Sequence, residues 1–230
     1  SKFPRKPNFP SHRPLVGKDG DLFYEGDSVS FVGRPFPLED VAGHIHRIKS
    51  MGYNSIRYII TWEALEHEGP GKYDEEFIEY TVEVLKIIDR IGGVYVYLDP
   101  HQDVWSRYSG GDGAPLWTLY AAGFNPKNFV AAEAAMIENA FPQDPDQYPK
   151  MLWTTNYKRL VAGTMFSLFF AGEQLAPKCI INGVNIQHYL QRHFVDSFAH
   201  LLRRIKNLAP GLFNKTLLGI ETLNEPNSGY

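Results

Sequence analysis

The chain has 230 residues, a hydrophobic fraction of 43% and a charged fraction of 21%, which is a globular composition and excludes a disordered segment. A net charge of −3 provides no electrostatic attraction towards nucleic acid or an anionic membrane. One cysteine, Cys179, cannot close an internal disulfide and reads as a small buried apolar residue.

The first 20 residues begin with Ser and are rich in Pro, Lys and Arg; without an apolar stretch they do not form a signal peptide. The chain therefore reads as soluble or as an internal piece of a longer protein, the second being favoured. Its compartment is expected to be cytoplasmic or vacuolar. Residues 38–51 read as a helix, with Pro37 before them, Glu39 and Asp40 in the first turn, Val41, Ile45 and Ile48 on one face and Gly52 as the stop. A short strand over 55–60 follows. Asp74 is placed to cap a second helix that carries Phe77, Leu85 and Ile88 and ends at Gly92-Gly93. Residues 94–98 are all apolar or aromatic, as in a parallel strand covered on both faces. Helix, strand, helix and strand with short connections indicate a parallel α/β sheet.

That spacing then breaks. About 120 residues (98 to 217) separate this strand from the next, against ~30 for a βαβ unit. The interval is expected to hold a Gly-rich loop at 109–113, an Ala-rich helix near 128–139 and a Pro/Asp loop at 141–150. Helices at about 156–171 and 186–208 are expected to follow, the last being the crossover helix, with Tyr189, Leu190, Phe194, Leu201 and Ile205 facing the sheet. Residues 106–183 thus read as an insertion above the sheet. The apolar run 160–171 falls far short of the ~20 residues a membrane span needs.

All three strands end in polar residues: Arg57 with Thr61-Trp62-Glu63, then Asp99-Pro100-His101-Gln102-Asp103, then Asn224-Glu225-Pro226. In a parallel barrel the carboxyl ends of the strands share one face, so these groups converge. A guanidinium inside an apolar strand needs a carboxylate, and Glu225 is a candidate partner for Arg57, in an active site or a structural ion pair. His101 and Asp103 suit vicinal sugar hydroxyls. A metal is not expected, since no second ligand pair completes the set: His44 and His46 stand two apart on a helix and cannot share a face. Trp105, Trp117 and Tyr108 suit either a sugar or lipid face or the core. Asn224 and Glu225 are adjacent, so both reach a cleft only if the strand twists or bulges there. Glu221 reads as an interior polar residue without a catalytic role.

Four stretches together resemble glycoside hydrolase family 5, in its fungal branch of endoglycoceramidase-related steryl glucosidases and glucosylceramidases. They are Phe31-Val32-Gly33-Arg34-Pro35-Phe36-Pro37, Ile56-Arg57-Tyr58 with Thr61-Trp62-Glu63-Ala64-Leu65-Glu66, Asp99-Pro100-His101-Gln102-Asp103-Val104-Trp105-Ser106, and Asn224-Glu225-Pro226. The resemblance implies an α/β fold, a (β/α)8 TIM barrel of which residues 1–230 hold a part: strands about two to four, with a long helical insertion between strands three and four. It implies retaining hydrolysis by two glutamates, with Glu225 as acid/base, Asn224 beside it and Arg57 in support. His101, Asp103 and Lys2 match glycone-binding positions. The nucleophile is expected outside this chain, and no cofactor or metal is implied. The substrate implied is a glucoside, steryl glucoside or glucosylceramide for instance, whose lipid aglycone admits peripheral membrane contact. The alternatives are a non-catalytic carbohydrate-binding barrel and an enzyme for soluble glucosides.

Overall fold

The computed structural model describes Phe3, residues 23–137 and residues 153–230. Lys2 and the loop expected at 141–150 lie outside the described residues. The sheet has three parallel strands in the order β1 (Ser55–Thr61), β2 (Tyr95–His101) and β5 (Leu217–Ile220). A two-residue hairpin, β3 (Ile180–Ile181) and β4 (Val184–Asn185), stands apart. In β1 and β2 the side chains alternate: Tyr58, Ile60, Val96 and Leu98 are buried, while Arg57, Ile59, Tyr95 and Tyr97 face the opposite, open side. Register pairs Arg57 with Tyr97, Ile59 with Asp99 and Thr61 with His101.

The helices form where caps and apolar periodicity agree. α1 (Val41–Ser50) follows a 3-10 turn at Leu38–Asp40. α3 (Glu75–Ile91) starts where the Asp74 carboxylate accepts from Phe77 N at 2.9 Å, and buries Phe77, Thr81, Val84, Leu85 and Ile88 along one stripe. It ends at Gly92, whose φ of +69° favours glycine. α6 (Ile186–Leu208) opens on the Asn185 side chain, which accepts from Gln187 N. Two short helices lack a legible period: α2 (Trp62–Glu66), capped by Thr61, and α4 (Leu116–Ala121).

Several expectations are corrected. β2 continues through Pro100 to His101, because a proline near the strand end gives up only one ladder bond. No helix forms over the described part of 128–139. Pro126–Asn128 is a 3-10 turn and further turns follow, with Glu133 at φ +51°. Side-chain and long-range partners replace the helical ladder there: Asn156 accepts from Met136 N and donates to Met136 O, and Val161 N donates to Ala134 O. The next helix, α5 (Leu160–Leu175), starts later than expected because Arg159 is extended; Trp153–Lys158 is 3-10. α6 packs chiefly on α5, α2 and α3, so Phe194 meets Trp62 and Phe169 and Tyr189 meets Trp117. Cys179 is half-buried at the core margin, not enclosed. Trp105 and Tyr108 are buried, and half-buried Trp117 donates to Glu66 O, so all three belong to packing. No helix among the described residues is long and apolar enough to cross a membrane.

Candidate active site

The open face of the sheet carries a chain of charges. The Arg57 guanidinium forks onto Glu221, with Nε 3.0 Å from Oε1 and Nη2 2.6 Å from Oε2. Nη2 also donates to Asn224 Oδ1 at 3.0 Å and lies 3.2 Å from Asp99 Oδ1. The carboxylates that hold Arg57 are therefore Glu221 and Asp99, not Glu225. Asp99 and His101 are two apart on β2 and share the open face with Tyr97. His101 Nδ1 lies 2.7 Å from Asp99 Oδ2, which assigns the Nδ1 proton towards Asp99, and Nε2 lies 3.4 Å from Asp103 Oδ2.

The strand β5 ends at Ile220, so Asn224 and Glu225 lie on irregular chain beyond it rather than on a bulged strand. Asn224 is buried and locked: its N donates to Pro100 O, Nδ2 donates to Gln102 O at 3.0 Å, and its carbonyl accepts from Gln102 Nε2 at 2.7 Å. The backbone then turns through φ +35° at Glu225, leaving that side chain exposed. Left-handed backbone in a residue other than Gly is unfavourable, and here Gln102 Nε2 and Tyr157 Oη donate to the Glu225 carbonyl at 3.1 and 3.5 Å. These bonds separate the two neighbours: Asn224 points into the scaffold and Glu225 into the open.

Electrostatics brings the same groups together. Burial pushes the Asp103 carboxyl up, His101 opposes it, and the nearby Glu225 charge raises it further. Burial works against a charged His101, but the hydrogen bond to Asp99 and the charges of Asp112, Asp99 and Asp103 outweigh it and hold the imidazole above its ordinary value. Asp112, absent from the sequence expectations, is pushed up to about 6 by burial, with His101 opposing and Asp103, Glu63 and Asp99 adding to the rise. His101, Asp103 and Asp112 offer ligand atoms within 4.8 Å of one another. A cation there would need a free imidazole lone pair, whereas Nδ1 and Nε2 already face carboxylates, so hydrogen bonding to hydroxyl groups suits the set better.

A buried framework holds these loops. Arg107 Nε donates to Glu63 Oε1 at 2.8 Å, and the guanidinium lies over the rings of Tyr108 and Phe23. Glu63 N donates to Gly113 O at 2.7 Å. Glu66, fully buried, accepts from Trp62 Nε1 at 2.6 Å and Gly71 N at 2.5 Å, and lies 3.0 Å from His193 Nδ1.

The family description "Cellulase (glycosyl hydrolase family 5)" matches residues 24–157, from ahead of β1 past the Asp99–Asp103 loop. The chain belongs to glycosyl hydrolase family 5. Over its whole length it is 54% identical to a glucosylceramidase of Aspergillus fumigatus, and it is 52% identical to an ergosteryl-beta-glucosidase of Saccharomyces cerevisiae. It spans 29% and 31% of their lengths. The crystal structure of Cryptococcus neoformans sterylglucosidase 1 is similar to 96% of the chain, with a TM-score of 0.88 and 42% identity, and the chain covers 32% of it. Endo-glycoceramidase II from Rhodococcus sp., at 21% identity and a TM-score of 0.58, shares the fold. The three parallel strands are accordingly part of a TIM barrel, and their carboxyl ends are the face on which such barrels place chemistry.

On that face lie Arg57, His101, Asp103, Asn224 and Glu225, while Lys2 lies outside the described residues. Asp99, the buried carboxylate joining Arg57 to His101, was among the polar residues expected to converge but carried no role of its own, although its parity with His101 on β2 is visible in the sequence. Asp112 carried no expectation, and its signal was the surrounding run of glycines.

Proposed function

We propose that this chain forms part of the catalytic barrel of a retaining β-glucosidase acting on lipid glucosides such as steryl glucoside or glucosylceramide. The observation that carries this reading is Glu225, turned into the open beside Asp103 by a backbone that Asn224 and Gln102 hold fixed. In retaining hydrolysis one carboxylic acid protonates the leaving oxygen while a second carboxylate, about 5–5.5 Å away, attacks the anomeric carbon. Glu225 takes the acid/base role. The nucleophile comes from outside these 230 residues.

The remaining residues position the sugar and the acid. Arg57 fixes the Asn224 side chain and so the root of Glu225. Asp103 offers an acceptor to glycone hydroxyls, and His101, whose Nε2 stands a long 3.4 Å from Asp103, shares that N–H with the same hydroxyls; the same glycone-binding role is assigned to Lys2. Residues 106–183 act as an insertion over the active-site face, and its helix α5 exposes Leu160, Phe170 and Leu175, apolar side chains suited to a lipid aglycone. The names of the A. fumigatus and S. cerevisiae relatives support the lipid glucoside. A lipid aglycone also supports peripheral contact with a membrane.

The test is Glu225→Gln in the complete polypeptide. Turnover of glucosides with poor leaving groups should fall by about 10²–10⁴-fold, while activated aryl glucosides retain their first, glycosylation step. Unchanged turnover of both would remove Glu225 from the role.

A further inference from the structure

Asp112 lies directly opposite Asp103 in an isolated antiparallel bridge: Asp103 N donates to Asp112 O at 3.1 Å and Asp112 N to Asp103 O at 3.0 Å. Residues paired in this way send their side chains to the same face, and like charges set opposite each other are unfavourable. The loop nonetheless builds that approach with glycines on both sides of Asp112. A methyl group at Gly111 would run into the Asp103 carbonyl, and one at Gly113, at φ +123°, would meet Gln102 and the Trp105 carbonyl. The bridge is also braced from behind, by Glu63 N on Gly113 O and Ser106 Oγ on Ala114 O.

Within this rigid frame the buried Asp112 Oδ1 has no hydrogen-bond partner among the described residues. A buried acceptor without a donor is destabilising and calls for an explanation, and an occupant that donates to it is one. Position narrows what that occupant is. Asp112 borders the cavity along β1 with Arg57 and Thr61, whereas Glu225 follows β5, which lies beyond β2 in the sheet order β1, β2, β5. Across the mouth of the sheet, Asp112 therefore stands on the β1 side and Glu225 on the β5 side. A glucosyl ring with its anomeric carbon at Glu225 turns its C4 and C6 hydroxyls, both hydrogen-bond donors, towards the β1 side.

We infer that Asp112 is a sugar-contacting residue that accepts from the hydroxyls at the C4–C6 end of the glucosyl ring and sets selectivity for that end. The inference rests on the proposed glucosidase reading and deepens it.

The experiment uses Asp112→Ala and Asp112→Asn in the complete polypeptide, with aryl β-glucoside and its 4-deoxy and 6-deoxy analogues as probes. The wild type should favour the glucoside over at least one deoxy analogue by about 100-fold or more in kcat/KM, in line with a site built around a hydroxyl donor. Asp112→Ala should lower kcat/KM for the glucoside by about 10–100-fold and collapse that preference, because the analogue has nothing left to lose. Asp112→Asn, which keeps an acceptor in place, should retain part of it. If both variants preserve the wild-type preference against both analogues, Asp112 does not touch the sugar and the inference is overturned, with the Glu225 assignment untouched. A wild type that hydrolyses no β-glucoside overturns the glucosidase reading and this inference with it.

Discussion

Arg57 and Glu221 form a two-point ion pair across the sheet, with Nη2 2.6 Å from Oε2, and the same nitrogen carries Asn224. The guanidinium thus ties the residue before Glu225 to β1 without touching Glu225. Arg57→Lys keeps the charge but loses the fork, since an ammonium is a point donor. On the proposed reading kcat should fall about 10–100-fold with a smaller change in KM, because the acid is misplaced rather than the glycone contacts removed. Glu221→Gln should fall in the same direction, and the double variant should lose less than the two single losses combined, as shared partners do. Independent, fully additive losses would separate the two residues.

The network at Glu66 supports stability. Its carboxylate is pushed upward by burial while Gly71 N, Trp62 Nε1 and His193 pull it back. Glu66→Leu strands those donors in an apolar setting, and thermal or denaturant unfolding of the complete polypeptide should show a loss of about 3 kcal/mol, whereas Glu66→Gln should lose about 1 kcal/mol. An equal small loss for both would show that the donors find other partners.

Asp112 should trade stability for use. Its carboxyl stands at about 6 in the folded protein against an ordinary value of 3.8, so between those values the folded state binds more protons than the unfolded one. Its contribution to stability therefore falls as pH rises from about 4 to about 6 and stays reduced above that. Asp112→Asn removes the ionisation, so it should raise stability at pH 7 by up to about 3 kcal/mol and leave it nearly unchanged at pH 4. Melting temperatures of the two proteins at the two pH values check this. A loss at pH 7 would show that the charge is held favourably.

The isolated 230-residue chain should associate. Ile59, Tyr95 and Leu218 on the sheet are 52%, 45% and 62% exposed, and an apolar groove of about 540 Å³ runs along Phe170, Val195, Phe198 and Ile220 beside the β5 edge. Open sheet edges and apolar faces favour self-association. Sedimentation and light scattering should show oligomers or aggregates; a monomer with a sharp cooperative melt would contradict the prediction.

The long elements were legible because several signals agreed on each. Asp74, the Phe77–Leu85–Ile88 stripe and Gly92-Gly93 mark α3 at both ends, and the boundaries of α6 match the expected 186–208. α2 and α4 are too short to show a period. The alanines of 131–135 read as helix by propensity, yet Asn156 and Val161 compete for the backbone groups a helix would use. Glu221 was recognised as an inward polar residue, but its pairing with Arg57 depends on strand register, which parity alone does not supply. Asp112 was missed for a related reason: its neighbour in space is Asp103, nine positions earlier, through a bridge that no periodicity announces.

Beyond Glu225 the chain runs back along α5: Tyr230 N donates to Ser167 Oγ at 2.7 Å, Gly229 packs on Ser167, and the Tyr230 ring lies flush against Gly163. On the proposed reading, remodelling that helix to accept a different aglycone would therefore tug on the segment carrying the proposed proton donor. Loop grafts between relatives should succeed when 160–175 and 225–230 travel together, and fail as halves, so substrate range and catalytic competence would be inherited as a single module.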